Sequence, residues 1–231
     1  MPQQSSTPVA EPNGADYRLL VPFFAHTTII QTLILLIRVT TSYRVIELGL
    51  PVVWLGIIAA GFAILPVFVA LQVGRWIDRG NDAKACWIGT ALILLACAGF
   101  WLWSRSAMHL LAFSVLLGFG HMFCMAGHQM LAVRPNSPRN REDVLGYYMI
   151  AAAIGQGLGP FLVGWLGGAA AVPPTGLLFA IALGTAVASA IVVTLIRPAA
   201  SRCKRAKRAI SFQSAPSSGC ADCRPCSRRA W

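Results

Sequence analysis

The residues able to do chemistry in this sequence are polar side chains set inside long apolar runs. The first run carries His26, Thr27, Gln31 and Arg38; the fourth carries Ser114, His121 and His128, with Cys124 beside them and Gln129 at the flank. On a helix Thr27, Gln31 and Arg38 project within about 40° of one another. Ser114, His121 and His128 recur every seven residues and form a second stripe. Polar groups inside a bilayer are costly, so a stripe of three points to the lining of a cavity; hydrogen bonding to a neighbouring helix is the plainer alternative. Arg38 in such a path favours an anionic or polar solute, and near a helix end it snorkels to the interface instead. His121, Cys124 and His128 also have metal-ligand spacing on one face, but no carboxylate lies in any run to complete a site. Cys220, Cys223 and Cys226 lack a fourth ligand and a nearby histidine. Hence neither a metal nor a cofactor is expected. Glu142-Asp143 reads as a loop pair at a helix start, and no Ser-His-Asp set, phosphate loop or paired carboxylate occurs, so no enzyme is expected.

The elements that must hold these groups follow from composition. Of 231 residues 56% are hydrophobic and 12% charged, with mean hydropathy +0.64. Ordinary domains carry about 25% charged residues, so a disordered chain, a disulfide miniprotein and a soluble enzyme are disfavoured. Six segments are long and apolar enough to cross about 30 Å of hydrocarbon: 21–42, 50–73, 85–103, 108–133, 146–168 and 176–196. They lack barrel alternation, so they are expected as helices in a lipid bilayer. Arg75, Arg79 and Lys84 follow the second segment, and Arg134, Arg139 and Arg141 follow the fourth. The opposite side has only Arg44 and Arg105. The positive-inside rule then places both chain ends in the cytoplasm. Nine of the 19 basic residues fall after Ile196, so the net charge of +11 is chiefly that of a tail.

The six segments differ in a regular way. Segments one and four are polar; two and five hold the helix-bending residues, with Pro51, Gly56, Gly61 and Pro66 in one and Gly155, Gly157, Gly159 and Pro160 in the other. Segments three and six contain nothing more polar than Thr, Ser and Cys. The order polar, flexible, apolar thus occurs twice, which suggests a three-helix unit repeated in inverted orientation. In that design polar helices line a path, flexible helices gate it and apolar helices face lipid.

Two motifs give a family resemblance. The turn Gly74-Arg75-Trp76-Ile77-Asp78-Arg79-Gly80 resembles the signature that the major facilitator superfamily carries between its second and third helices, with Gly74, Asp78 and Arg79 in register. Asn81, Asp82 and Ala83 depart from it. A glycine there permits close helix approach, and Asp78 with Arg79 forms a charge cluster next to a helix end. The resemblance implies that this cluster is a conformational latch. The run Gly155-Gln156-Gly157-Leu158-Gly159-Pro160-Phe161-Leu162-Val163-Gly164 resembles the fifth-helix signature of the family's proton-coupled exporters, with Gly155, Gly159, Pro160 and Gly164 matching. Many of those exporters carry an Arg in helix four, four residues before a Gly. Here Ser114 precedes Gly118 and Leu116 precedes Gly120, which leaves His26, His121 or His128 as titrating groups.

The expected architecture is an all-α membrane protein: a six-transmembrane-helix bundle of two inverted three-helix repeats, half of that family's fold. Residues 1–20 are expected as a disordered cytoplasmic segment, 21–196 as the six-helix domain and 197–231 as a disordered basic tail of unrelated or out-of-frame sequence. The resemblance implies secondary active transport of a small solute by alternating access in a bacterial inner membrane, with proton-coupled export as one form. Its partners are then the solute, protons and the bilayer, not nucleic acid. The alternatives are a truncated fragment without transport activity, and a six-helix protein acting as a homodimer or a sensor.

Overall fold

The computed structural model describes residues 17–133, 138–168 and 172–213, with side chains over 20–64, 66–133, 141–168 and 172–196. Among the described residues there are six long helices and no strand: α1 (Tyr17–Glu47), α2 (Val53–Trp76), α3 (Asp82–Trp103), α4 (Ala107–Val133), α5 (Pro138–Gly167) and α6 (Thr175–Gln213). Each of the six expected segments becomes one helix. Pro138 opens α5, where its missing N–H costs nothing. The wide turn Ile77–Asn81 joins α2 to α3 and turns on Gly80, whose φ of 90° disfavours any residue with a Cβ.

Helix ends differ from the sequence expectation at two places. α1 begins at Tyr17, inside the segment expected to be disordered. α6 continues past Ile196 to Gln213, so the first part of the basic tail is helical. Its Ala, Lys and Arg content over 199–210 has high intrinsic helix propensity, which accounts for the extension. Residues 1–16 and 214–231, with Cys220, Cys223 and Cys226, lie outside the described residues.

The packing order obeys an exchange rule. α1 packs on α5 and α6, α4 packs on α2 and α3, and α3 packs on α6. Exchanging α1 with α4, α2 with α5 and α3 with α6 leaves this set of contacts unchanged. Stepping by three helices also reverses the chain direction through the bundle. The bundle is therefore two inverted three-helix repeats, as the sequence pattern suggests.

Glycines set the closest approaches. A Cβ on Gly155 would lie 2.5 Å from the Thr28 carbonyl oxygen, and one on Gly159 would lie 2.8 Å from the Thr32 oxygen and 2.8 Å from the Leu36 nitrogen. These two thus let α5 lie directly on α1. Gly118 does the same for α4 on α2, where a Cβ would meet the Phe62 carbonyl oxygen, and Gly89 with Gly120 and Gly127 draws α3 onto α4. Gly164 is different: a Cβ there meets nothing within 4 Å among the described residues.

α2 and α5 present large apolar side chains outward, including Phe68, Leu71, Phe161 and Trp165. α3 does not merely face lipid as expected of an apolar helix. It buries Cys86, Gly89, Thr90, Ile93 and Cys97 against its neighbours. α1 is the most buried span of the bundle.

At the Arg44 end of α1 three helix ends are tied together. Arg44 Nε donates to the Ser104 carbonyl oxygen at 2.9 Å, and its Nη1 lies 3.4 Å from Thr175 Oγ1 and 3.0 Å from Glu47 Oε2. Thr175 Oγ1 donates to Glu47 Oε2 in turn. The fork of one guanidinium thereby joins α1, the α3–α4 turn and the start of α6. Arg44→Ala is expected to cost ~1–2 kcal/mol, mainly from the lost hydrogen bonds since the ion pair is partly solvated. Faster amide exchange around Ser104 and Thr175 would report it, and Arg44→Lys would recover only part.

Candidate functional site

α1 and α4 run antiparallel, so residues early in α1 meet residues late in α4. Four levels of side chains follow along this seam. At one end His26 Nδ1 lies 2.7 Å from His128 Nε2, both rings fully buried. Next, Gln31 Nε2 donates to Met125 Sδ at 2.9 Å, and Tyr148 OH of α5 donates to the same sulfur at 3.2 Å. At the third level Phe62 of α2 meets both Arg38 and His121. Arg38 Cζ is 5.0 Å from the Phe62 ring centre, and the His121 ring stacks on Phe62 at 5.7 Å. At the fourth, Arg38, Thr41 and Ser42 of α1 face Ser114 of α4 across a cavity of ≈ 300 Å³.

The histidine level can be assigned hydrogen by hydrogen. Thr90 Oγ1 donates its single hydrogen to the Cys86 carbonyl oxygen at 2.7 Å, so toward His26 Nε2, 3.2 Å away, it must accept. His26 therefore carries its hydrogen on Nε2 when neutral, and its Nδ1 is an acceptor. His128 then donates from Nε2 to His26 Nδ1, which leaves His128 Nδ1 as the basic nitrogen of the pair. The chain of bonds thus runs His128 to His26 to Thr90 to Cys86, crossing α4, α1 and α3. Phe23 and Tyr148 pack around the His128 ring. Any added proton enters a site walled by aromatic rings.

The sequence-derived site residues fare unequally. His128, His121, Ser114, Gln31 and Arg38 all lie on the α1–α4 seam. Thr27 does not join them; its hydroxyl donates to the Phe23 carbonyl oxygen of its own helix at 3.0 Å. Although it lies only about 40° around the helix from Gln31, its hydroxyl finds its acceptor one turn back on α1, as buried threonines commonly do. His121, Cys124 and His128 turn to three different partners: Phe62, the Cys86 carbonyl oxygen and His26. Among the described residues no three His, Cys, Asp or Glu side chains come together to hold a metal.

The motif residues divide as well. Gly155 and Gly159 make the tight α1–α5 contact, whereas Pro160 and Gly164 sit on the exposed side of α5. Asp78 and Arg79 are exposed in the turn after α2. The close helix approach expected at Gly74 is not made, because a Cβ there would meet nothing within 4 Å among the described residues. Glu142 and Asp143 are exposed in the opening turns of α5.

Sequence reasoning missed Thr90, Met125 and Tyr148. Thr90 sits in the apolar part of α3, beyond Asp82 and Lys84 of its first turn and four positions after Cys86, a spacing that only shows its meaning once α3 lies on α1 and α4. Met125 and Tyr148 share no polar spacing signal in the sequence, yet the thioether accepts two hydrogen bonds and joins three helices.

No match was found among curated proteins or among solved structures. A family model described as Major Facilitator Superfamily matches residues 15–225, which extends beyond Ile196 and so farther than the two motifs reach. With the six helices and their inverted repeats, this match shows that the chain belongs to the Major Facilitator Superfamily, a family of membrane transporters.

Proposed function

We propose that this chain carries out secondary active transport of a small solute by alternating access, along the seam between α1 and α4, with proton coupling through the His26–His128 pair. The observation that supports the reading is the ladder of polar groups along that seam, from the histidines through Gln31 to Arg38 and Ser114. Apolar helices need no such ladder to pack, and buried polar groups in a bilayer are kept where they serve a pathway.

The paired imidazoles suit proton exchange. When His128 Nδ1 takes a proton, the ring becomes cationic while Nε2 still donates to His26. The charge can pass across the 2.7 Å bond to His26, whose Nε2–H faces Thr90. Charging both rings would break their mutual bond, since neither would then accept. The pair thereby holds one proton, and entry of a second is tied to a rearrangement of the α1, α3 and α4 contacts. Cys86, Cys124, Tyr148 and His121 are the other titratable groups around this level.

The charge pattern supports an orientation with the Arg75, Arg79 and Lys84 turn and both chain ends cytoplasmic, in a bacterial inner membrane. Arg44 and its partners then mark the outer face, and the Arg38 cavity lies toward it. Asp78 and Arg79 act in this reading as a latch at the inner face.

The test is proton flux by purified protein in proteoliposomes. Under an imposed pH gradient, at least one solute from a panel of small organic anions, cations and neutral compounds is expected to speed collapse of the gradient relative to protein-free vesicles. No acceleration with any of them would overturn proton-coupled transport by this chain.

A further inference from the structure

We propose that the cavity between α1, α2 and α4 is a binding site for an organic monoanion with an apolar body, held by the Arg38 guanidinium and the Thr41 hydroxyl. The assignment names the solute class for the transport proposed above; the binding itself stands apart from transport.

Three features of the cavity point to this ligand. The first is a cation without a counter-ion: Arg38 lines the cavity, and no carboxylate pairs with it among the described residues. Its contact is the face of Phe62 at 5.0 Å, which orients the guanidinium while leaving its N–H donors for a ligand. The second is a buried hydroxyl without a partner. Thr41 is 4% exposed, lines the same cavity, and its Oγ1 makes no hydrogen bond. The neighbouring threonine differs, since Thr40 donates to the Leu36 carbonyl oxygen at 2.7 Å. A buried hydroxyl left unpaired is costly, and an anionic oxygen entering the cavity would satisfy it.

The third feature is the wall. Leu35, Val39, Leu55, Ile58 and Leu117 line most of the remaining space, with the Ser42 and Ser114 hydroxyls among them, so the cation stands in a largely apolar lining. A single guanidinium suits one negative charge; a phosphate dianion would leave charge unpaired against hydrocarbon. At ≈ 300 Å³ the cavity lies at the small end of ligand sites, which run about 300–1,000 Å³, and so takes a solute of roughly one ring. A carboxylate or sulfonate on an aromatic or short aliphatic body meets all three conditions.

Benzenesulfonate is the probe, because its charge does not change over the working pH range. Binding to the full chain in phosphatidylcholine nanodiscs would be followed by tryptophan fluorescence, since Trp54 adjoins Leu55 of the cavity wall. Benzyl alcohol serves as the neutral comparison. Saturable binding of benzenesulfonate is expected, weakened about tenfold or more by Arg38→Gln and about three- to tenfold by Thr41→Val. Arg38→Lys should retain binding better than Arg38→Gln, and benzyl alcohol affinity should be unmoved by either change. Equal affinity of the folded Arg38→Gln protein, or no saturable binding to the wild type, would overturn the proposal, and Thr41→Val decides the matter where Arg38→Gln fails to fold. Abolition of binding when the nanodiscs contain phosphatidylglycerol would assign the cavity to a lipid headgroup and likewise overturn it. Retained binding together with failure of the proton-flux test would remove the transport reading and leave this site standing.

Discussion

Gly159→Ala is expected to destabilise the bundle by ~1–3 kcal/mol or more, while Gly164→Ala, five residues along the same helix, is expected to be neutral or slightly stabilising. The difference follows from what each Cβ would meet. At Gly159 it would lie 2.7 Å from Leu35 Cβ and 2.8 Å from both the Leu36 nitrogen and the Thr32 oxygen. Two of these are backbone atoms of the most buried helix and cannot swing aside, so α5 must move off α1. At Gly164 nothing lies within 4 Å among the described residues, and alanine gains the helix propensity that glycine lacks. Thermal unfolding of the two variants in one detergent gives the comparison directly. Equal melting temperatures would mean that α5 does not rest on α1 as described.

The second large effect concerns the paired histidines. His128→Gln and His26→Gln are each expected to lower proton-driven solute accumulation by about tenfold or more while leaving solute exchange without a gradient within about threefold. Glutamine keeps a side-chain hydrogen bond at either position but cannot carry a proton. His128 supplies the basic nitrogen and His26 passes charge to the Thr90 end, so loss of either breaks the relay. Thr90→Val tests the tautomer assignment: freed from Thr90, His26 can carry its hydrogen on either nitrogen, and the pH profile of coupled flux should shift. If both glutamine variants accumulate solute as the wild type does, the pair is structural.

Much of this architecture was legible in the sequence because lipid imposes simple demands on it. Six runs of apolar residues had to be helices, and the alternation of polar, Gly/Pro-rich and apolar runs carried the inverted repeat that the helix contacts display. Each stripe on α1 and α4 pointed to a cavity lining or a helix contact, and in the fold the two meet along one seam. The polar partners across it were hidden, because partner choice depends on register between helices. His26 pairs with His128 and not with His121 because antiparallel packing sets early α1 against late α4. Thr27 shows the limit of an angular argument: it points near Gln31 yet satisfies its hydroxyl on its own helix. Arg44 read only as a sparse outer charge, and its role in tying three helix ends needed the fold to appear. Thr41 and Phe62 read as ordinary span residues until the cavity placed both beside Arg38.

The motif in α5 also gained a physical division. Its matching residues are not equivalent: Gly155 and Gly159 are contact positions, and Pro160 and Gly164 lie on the outward face. A Cβ on half-buried Gly74 would likewise meet nothing within 4 Å among the described residues, beside the exposed Asp78 and Arg79.

The most direct measurement of the central claim is counterflow by the wild-type protein. Proteoliposomes are loaded with unlabelled benzenesulfonate, placed in a trace of the labelled anion, and followed with no pH gradient or membrane potential. A site that opens alternately to the two sides predicts a transient accumulation of label above its outside concentration, absent from Arg38→Gln vesicles. A time course matching that of protein-free vesicles would contradict alternating-access transport of an organic anion by this chain.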